Sequence, residues 1–210
     1  FYTRKPCKYT FSREESLLCH PKRHAMELEI TTGCDAQGML TAMTVKIIAD
    51  TGAYASLGTA VLERACTHAC GPYSIPNVEL VGYCVYTNNP PAGAFRGFGV
   101  PQSNFGAEAN MDQLADLAGL DRWEIRYRNA VEPGMVLANG QICGDDVAVK
   151  ETLLAVKNDY YNNKYAGIAC AFKNTGIGVG LQDIGRCRIR VKDGKAVIYS
   201  AASCIGQGMA

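Results

Sequence analysis

Met26-Glu27-Leu28-Glu29-Ile30-Thr31-Thr32-Gly33-Cys34-Asp35-Ala36-Gln37-Gly38-Met39-Leu40-Thr41-Ala42-Met43-Thr44-Val45-Lys46-Ile47-Ile48-Ala49 is the stretch that decides the fold class. Alternation over Met26 to Thr32 and over Leu40 to Ala49 predicts two strands, which the turn Gly33 to Gly38 joins into a hairpin. Upstream, residues 8 to 12 read as a short strand, and Ser12-Arg13-Glu14-Glu15 reads as a capping box opening one or two helical turns. Downstream, the chain bends after Asp50-Thr51-Gly52-Ala53-Tyr54, Val61 to Ala69 reads as helix and Val78 to Thr87 alternates as a strand. The prolines and glycines of Asn88 to Pro101 exclude regular structure there.

Gln102 to Leu117 repeats apolar residues at helical spacing (Phe105, Ala109, Met111, Leu114, Leu117) and stops at Gly119, a C-cap. Asp121 caps a second helix to about Asn129, and Asp146 to Asp159 supplies a third. Gly167 to Phe172, Ile184 to Val191 and Ala196 to Ala202 read as strands, the last two joined by the hairpin turn Lys192-Asp193-Gly194-Lys195. Hairpins replace repeated strand-helix-strand units, so the expected class is α+β, with mixed sheets and packed helices in two lobes. The lobes divide between residues 130 and 166, giving 1–140 and 141–210.

The 210 residues are 48% apolar and 20% charged, with 21 basic against 20 acidic side chains, so the chain can bury a real core. That balance argues against a nucleic-acid surface, which draws on clustered Lys and Arg. The longest apolar stretch is about ten residues against the roughly 20 of a membrane-spanning helix, so a soluble chain is expected. The ten cysteines are mostly scattered singly beside apolar or small residues, as core thiols are; only Cys66 and Cys70 lie close, a weak metal signal without a second pair. A reduced, cytoplasmic setting follows. The start Phe1-Tyr2-Thr3-Arg4 shows no leader, and the end Gly206-Gln207-Gly208-Met209-Ala210 is a bare glycine-rich turn; both read as cuts in a longer polypeptide.

The densest motif is Asn89-Pro90-Pro91-Ala92-Gly93-Ala94-Phe95-Arg96-Gly97-Phe98-Gly99. Its glycines let backbone approach a ligand, Arg96 offers a planar donor fork and Phe98 an apolar face; the bland reading is a structural loop with buried Phe and a carbonyl-capping Arg. Phosphate-loop and dinucleotide patterns fail, because Val100-Pro101-Gln102 follows Gly99. Gly176-Ile177-Gly178-Val179-Gly180 also fails and reads either as a permissive turn near a ligand or as a flexible loop. Arg64 sits in a small, apolar helix and either pairs with Glu63 or Asp50 or serves a pocket as an anion or carbonyl hook. His20 and His24 read as parts of a solvated basic loop that Pro21 keeps out of a helix. No nucleophile elbow or convincing Ser/His/Asp set supports hydrolysis.

Ala94-Phe95-Arg96-Gly97-Phe98-Gly99-Val100-Pro101-Gln102, preceded by Glu63-Arg64 and Pro72-Tyr73-Ser74-Ile75-Pro76-Asn77, closely resembles the molybdenum-binding part of the xanthine dehydrogenase and aldehyde oxidase family. Ile205-Gly206-Gln207-Gly208 resembles that family's second cofactor loop, and Ala49 to Tyr54 and Tyr9 to Glu15 fall where the family has comparable segments. The resemblance implies a hydroxylase acting on purines or related nitrogen heterocycles. Its oxygen comes from water, a glutamate acts as base, and electrons leave through 2Fe-2S centres and FAD on other domains or subunits. Phe95, Arg96 and Gly97 would contact the molybdenum cofactor, molybdopterin or its cytosine dinucleotide form. Gly206, Gln207 and Gly208 would bind its pterin or oxygens. Phe98 would pack against a planar substrate, with Phe172 as the second aromatic, and Arg64 would donate to a ring carbonyl as charge builds. The family's first glycine-rich loop and its catalytic glutamate are not in this chain, and the Asp159 to Gly167 connection is short. The competing reading is a structural or interaction module that keeps the fold without cofactor.

Overall fold

The computed structural model describes residues 2–176, 182 and 184–209, so most of the Gly176 to Gly180 run lies outside the described residues. Ser12 and Glu15 form the expected capping box. The Glu15 N–H donates to Ser12 Oγ at 3.2 Å and the Ser12 N–H to Glu15 Oε2 at 2.8 Å, starting α1 (Arg13–Cys19). Residues 8–12 form no strand. No ladder joins them to a strand among the described residues; Tyr9 instead sets its ring edge-on to Phe11 at 5.4 Å and gives its hydroxyl to Glu15.

The hairpin follows, β1 (Met26–Cys34) running antiparallel to β2 (Leu40–Gly52) with Ile30 opposite Val45 and a bulge at Gly33/Cys34. The buried residues of β2 are mostly apolar: Leu40, Met43, Val45, Ile47 and Ala49, with Thr51 following at the strand's end. The chain then crosses through α2 (Gly58–Thr67) to β3 (Val78–Tyr86), which lies parallel to β2, so the sheet order is β1-β2-β3. A single strand-helix-strand unit is thus grafted on a hairpin, in keeping with the α+β class. α2 begins earlier than its apolar spacing suggested. Gly58 can start it because a side chain there would meet Thr51 Oγ1 at 2.5 Å and Cys84 Sγ at 2.8 Å.

α3 (Val100–Ala118) ends at Gly119, whose φ of 65° is the left-handed C-cap conformation. Its apolar residues do not all face inward: Met111 and Leu114 are buried, whereas Phe105 and Leu117 are 75% and 85% exposed. Helical spacing identified the helix, but small residues, Ala107 and Ala115, hold the packed face. Asp121 caps α4 (Arg122–Asn129), accepting from the Trp123 and Glu124 amides. The last helix of this unit, α5 (Val149–Asn162), starts three residues beyond the expected Asp146 because a Gly144–Val147 turn precedes it.

The compact units are residues 1–172 and 173–210, a boundary later than the expected 140/141. α5 stays with the first unit because the buried Trp123 indole donates to the Leu153 carbonyl at 2.9 Å and Lys157 lies 4.2 Å over the Trp123 ring. Gly167 to Phe172 is not a strand: the Cys170 N–H finds the Glu108 carboxylate at 2.9 Å, not a neighbouring ladder. In the second unit β4 (Cys187–Lys192) and β5 (Lys195–Ser200) pair antiparallel. Asp193 and Gly194 take φ of 52° and 71°, both positive as a two-residue hairpin turn requires. No helix among the described residues is long and apolar enough to cross a membrane.

Glu108 organises the interior. Arg126, fully buried, donates Nε to Glu108 Oε2 at 2.7 Å, Nη2 to the Glu108 carbonyl at 3.1 Å and Nη1 to the Arg122 carbonyl at 3.0 Å, and it reaches Asp112 at 2.8 Å. Tyr73 gives its hydroxyl to the other Glu108 oxygen. Burial and that carboxylate push the Tyr73 hydroxyl well above the usual phenol range, so it stays a donor. Removing one member leaves a buried charge unpaired, which costs about 3 to 5 kcal/mol. Arg126→Met is therefore expected to lower the urea unfolding free energy by that much. Adding Glu108→Gln should cost less than the two single changes summed.

Candidate functional site

Thr87, Asn89 and Gly52 all donate to one carboxylate. Asp50, near the end of β2, accepts from the Gly52 N–H and the Thr87 hydroxyl, each at 2.7 Å, and from the Asn89 amide. The Thr87 hydroxyl is the main cause of an Asp50 pKa held below the usual carboxylate range, with Asn89 and Gly52 adding to it. The strand end thereby grips the entry of the glycine- and proline-rich loop that follows β3. Main-chain bonds continue the grip: Ala53 N–H to the Asn89 carbonyl and Ala92 N–H to Thr51, both at 3.1 Å. On the loop's other side, Lys22 N–H donates to Pro91 at 3.1 Å and Gly93 N–H to Lys22 at 2.9 Å.

The tip is tightly wound. Phe98 N–H donates to the Phe95 carbonyl at 2.7 Å and Val100 N–H to Gly97 at 3.1 Å. Gly97, Phe98 and Gly99 all have positive φ, of 91°, 51° and 95°. For Phe98 that conformation costs roughly 1 to 3 kcal/mol, a strain that surrounding contacts must hold and that is typical of ligand-binding segments. Gly99 cannot be anything larger: a side chain there would meet the Val61 carbonyl at 2.3 Å and Ala65 at 3.1 Å. The loop's exit therefore rests on the α2 backbone, beside Arg64, which is 8% exposed.

The exit of the Phe95–Gly99 tip is thus set against α2, the helix that carries Arg64. Arg96 is exposed, and neither its guanidinium nor the N–H groups of Arg96 and Gly97 have a hydrogen-bond partner among the described residues. Phe95 is 52% exposed and Phe98 half-buried; the bland reading of two buried Phe rings does not describe this loop. Phe172 is half-buried at the end of the first unit, and neither its ring nor that of Phe98 stacks on another aromatic among the described residues. Gly206, Gln207 and Gly208 form an exposed turn of the second unit. Gln207 accepts from the Ile205 N–H and donates to the Ser203 carbonyl at 2.9 Å, so its amide braces its own turn. All ten cysteines are free thiols, and no group of three or more His, Cys, Asp or Glu among the described residues could hold a metal ion.

Two residues hold the loop through contacts that their place in the sequence did not signal. Asp50 meets loop partners 37 and 39 residues away. Arg23, read as part of a solvated segment, donates Nη2 to the Arg96 carbonyl at 2.8 Å and lies 4.5 Å over the Phe95 ring. No local spacing signals contacts at such separations. His24 corrects the same reading. It is 2% exposed, while His20 is exposed.

Comparison with known proteins finds a molybdopterin cofactor-binding domain over residues 1–130. The chain is 48% identical over 153 residues to the large molybdopterin subunit of nicotinate dehydrogenase from Eubacterium barkeri, covering 73% of this chain and 36% of that protein. It is 37% identical over 217 aligned positions to a probable xanthine dehydrogenase subunit from Bacillus subtilis (strain 168), covering 98% of this chain and 29% of that protein. Among solved structures, the aldehyde oxidoreductase from Desulfovibrio gigas superposes with a TM-score of 0.65 at 32% identity, covering 68% of this chain and 16% of that one. The chain therefore spans about a third of the length of these two curated relatives.

Burial pushes the His24 pKa down, Asp50 and the Gly93 backbone pulling partly the other way. The folded state therefore prefers neutral His24, and the unfolded chain takes a proton first as pH falls below about 6.5. The stability contributed by neutral His24 is present above that pH and declines from there down to the lowered folded value. Denaturant unfolding at stepped pH should show this decline, and His24→Gln should flatten it below about pH 6.5.

Proposed function

The chain belongs to the molybdopterin cofactor-binding domain family, and on that premise we propose that it builds part of the substrate and cofactor site of a molybdenum-dependent hydroxylase acting on purines or related nitrogen heterocycles. The observation that carries this reading is the strained Phe95–Gly99 tip, which presents an exposed arginine and packs its exit against α2, the helix that carries the buried Arg64.

The donor set suits an oxygen-rich, anionic cofactor. Arg96 and the Arg96 and Gly97 N–H groups point to no partner of their own among the described residues, and a guanidinium with adjacent amides matches phosphate or dithiolene-pterin oxygen acceptors. Arg96 and Gly97 would hold the cofactor, with Phe95 beside them. The molybdenum cofactor supplies two-electron oxidation with oxygen drawn from water. The protein's part is positioning and electrostatics. Phe98, half-buried between two glycines, would lay its ring against a planar substrate, and Phe172 would flank it. Arg64, largely shielded from water, would donate to a ring carbonyl or carboxylate where negative charge grows, a role that gains strength in a low dielectric. An aldehyde offers no such second acceptor. Completing the reaction requires the rest of the molybdenum subunit, including a general base, and iron-sulfur and flavin partners to carry electrons away.

The test uses the full-length protein. It should contain about one molybdenum per chain, because each chain supplies one such tip to hold the cofactor. Arg64→Met should lower kcat/KM for xanthine or nicotinate by about 2.7 to 4 kcal/mol, the loss typical of one charge-stabilising donor, while aldehyde turnover changes far less. Absence of molybdenum would favour the cofactor-free structural module. Equal losses on heterocycles and aldehydes would assign Arg64 to the scaffold.

A further inference from the structure

Arg23 precedes Arg96 by 73 residues, yet its guanidinium makes its contacts with the loop tip and its exit. Nη2 donates to the Arg96 carbonyl at 2.8 Å, the guanidinium carbon lies 4.5 Å from the Phe95 ring centroid, and Nη1 approaches Gln102 Oε1 at 3.5 Å. Gln102 in turn donates Nε2 to the His24 carbonyl at 3.0 Å, which ties the Arg23–His24 segment to the first turn of α3. We infer that Arg23 is a positioning residue: it fixes the Phe95–Arg96 backbone so that the Arg96 side chain is presented to the anionic part of the bound cofactor. This rests on the function proposed above and adds a residue that acts through Arg96.

Three physical points support it. Holding the Arg96 carbonyl fixes the plane of the Arg96–Gly97 peptide, and with it the direction of the Gly97 N–H next to the Arg96 side chain. Arg23 also occupies the Arg96 carbonyl as a donor. Like-charge repulsion then disfavours folding of the Arg96 guanidinium back onto that carbonyl. Finally, Phe95 is half exposed and has no other ring partner among the described residues, so the planar face of Arg23 is what restrains it. Arginine suits this task and lysine does not, since a lysine ammonium could reach the carbonyl but could not also stack flat on the ring.

The experiment compares Arg23→Ala, Arg23→Lys and Arg96→Ala in the full-length protein, by hydrogen exchange and by the rate at which molybdopterin is released. In Arg23→Ala the Phe98 and Val100 amides, which close the tip, should exchange faster, while the Leu40 amide, bonded to Asn129 at 2.8 Å, should not change. Cofactor release should accelerate by about ten- to a hundredfold, the range that outer partners of a ligating group supply. Arg23→Lys should recover part of both effects. Unchanged exchange at Phe98 and Val100 would overturn the inference, and so would faster exchange with unaltered cofactor release. A parent protein without molybdenum would instead overturn the reading of the site. Exchange at the tip needs no cofactor and tells the two failures apart.

Discussion

A carboxylate in the interior must be paid for with partners, and that of Glu108 accepts from three donors. One oxygen takes the Tyr73 hydroxyl; the other takes Arg126 Nε and the Cys170 amide, while the Glu108 carbonyl takes a further Arg126 donor. Desolvating an ion pair costs several kcal/mol per charge, recovered only when every lone pair and proton is matched. That requirement ties α3, α4, the segment after α2 and the segment after α5 to a single point. Because α3 also begins at the loop tip, the network sets where the helix starts as well as where it packs.

Asn129 performs the same service at the hairpin. Its carbonyl oxygen accepts the Leu40 N–H, and its amide donates to the carbonyls of Gly38 and Ile125, all at 2.8 Å. A buried Asn is tolerable only when fully satisfied, and here satisfaction fixes the register of the β1–β2 turn against α4. With β2 held in that register, Asp50 at its far end is delivered to Thr87 and Asn89. The sheet, the helices and the loop are therefore linked by polar groups that have one good arrangement each, over a core of Ile47, Ala49, Ala65 and Ile125 that hardly admits solvent.

The loop tip is a place where local preference yields to context. Phe98 in a left-handed conformation is unfavourable by itself, and the grip of Asp50, Lys22 and Arg23 on the surrounding residues maintains it. A rigid, strained tip with outward donors binds without first ordering itself, which lowers the entropic cost of holding a ligand. Its exit at Gly99 packs on the α2 backbone at Val61 and Ala65, although the two segments are far apart in the chain.

Much of this was legible in the residues alone. The hairpin, the Ser12 capping box, the Asp121 and Gly119 caps and the Lys192–Lys195 turn depend on neighbours within a few positions, so local chemistry determines them. The Phe95–Gly99 motif was legible for the same reason, and so was the family resemblance it carries. What the residues alone did not reveal involves partners far along the chain. Cys170 reached a side chain instead of a strand, Phe105 and Leu117 faced outward from an apolar helix, and His24 was buried. Arg23 and Asp50 became parts of the site. Spacing reports which faces an element has, but which face is covered, and by whom, is settled when segments dozens of residues apart compete for the same buried partners, and only the tertiary structure decides that.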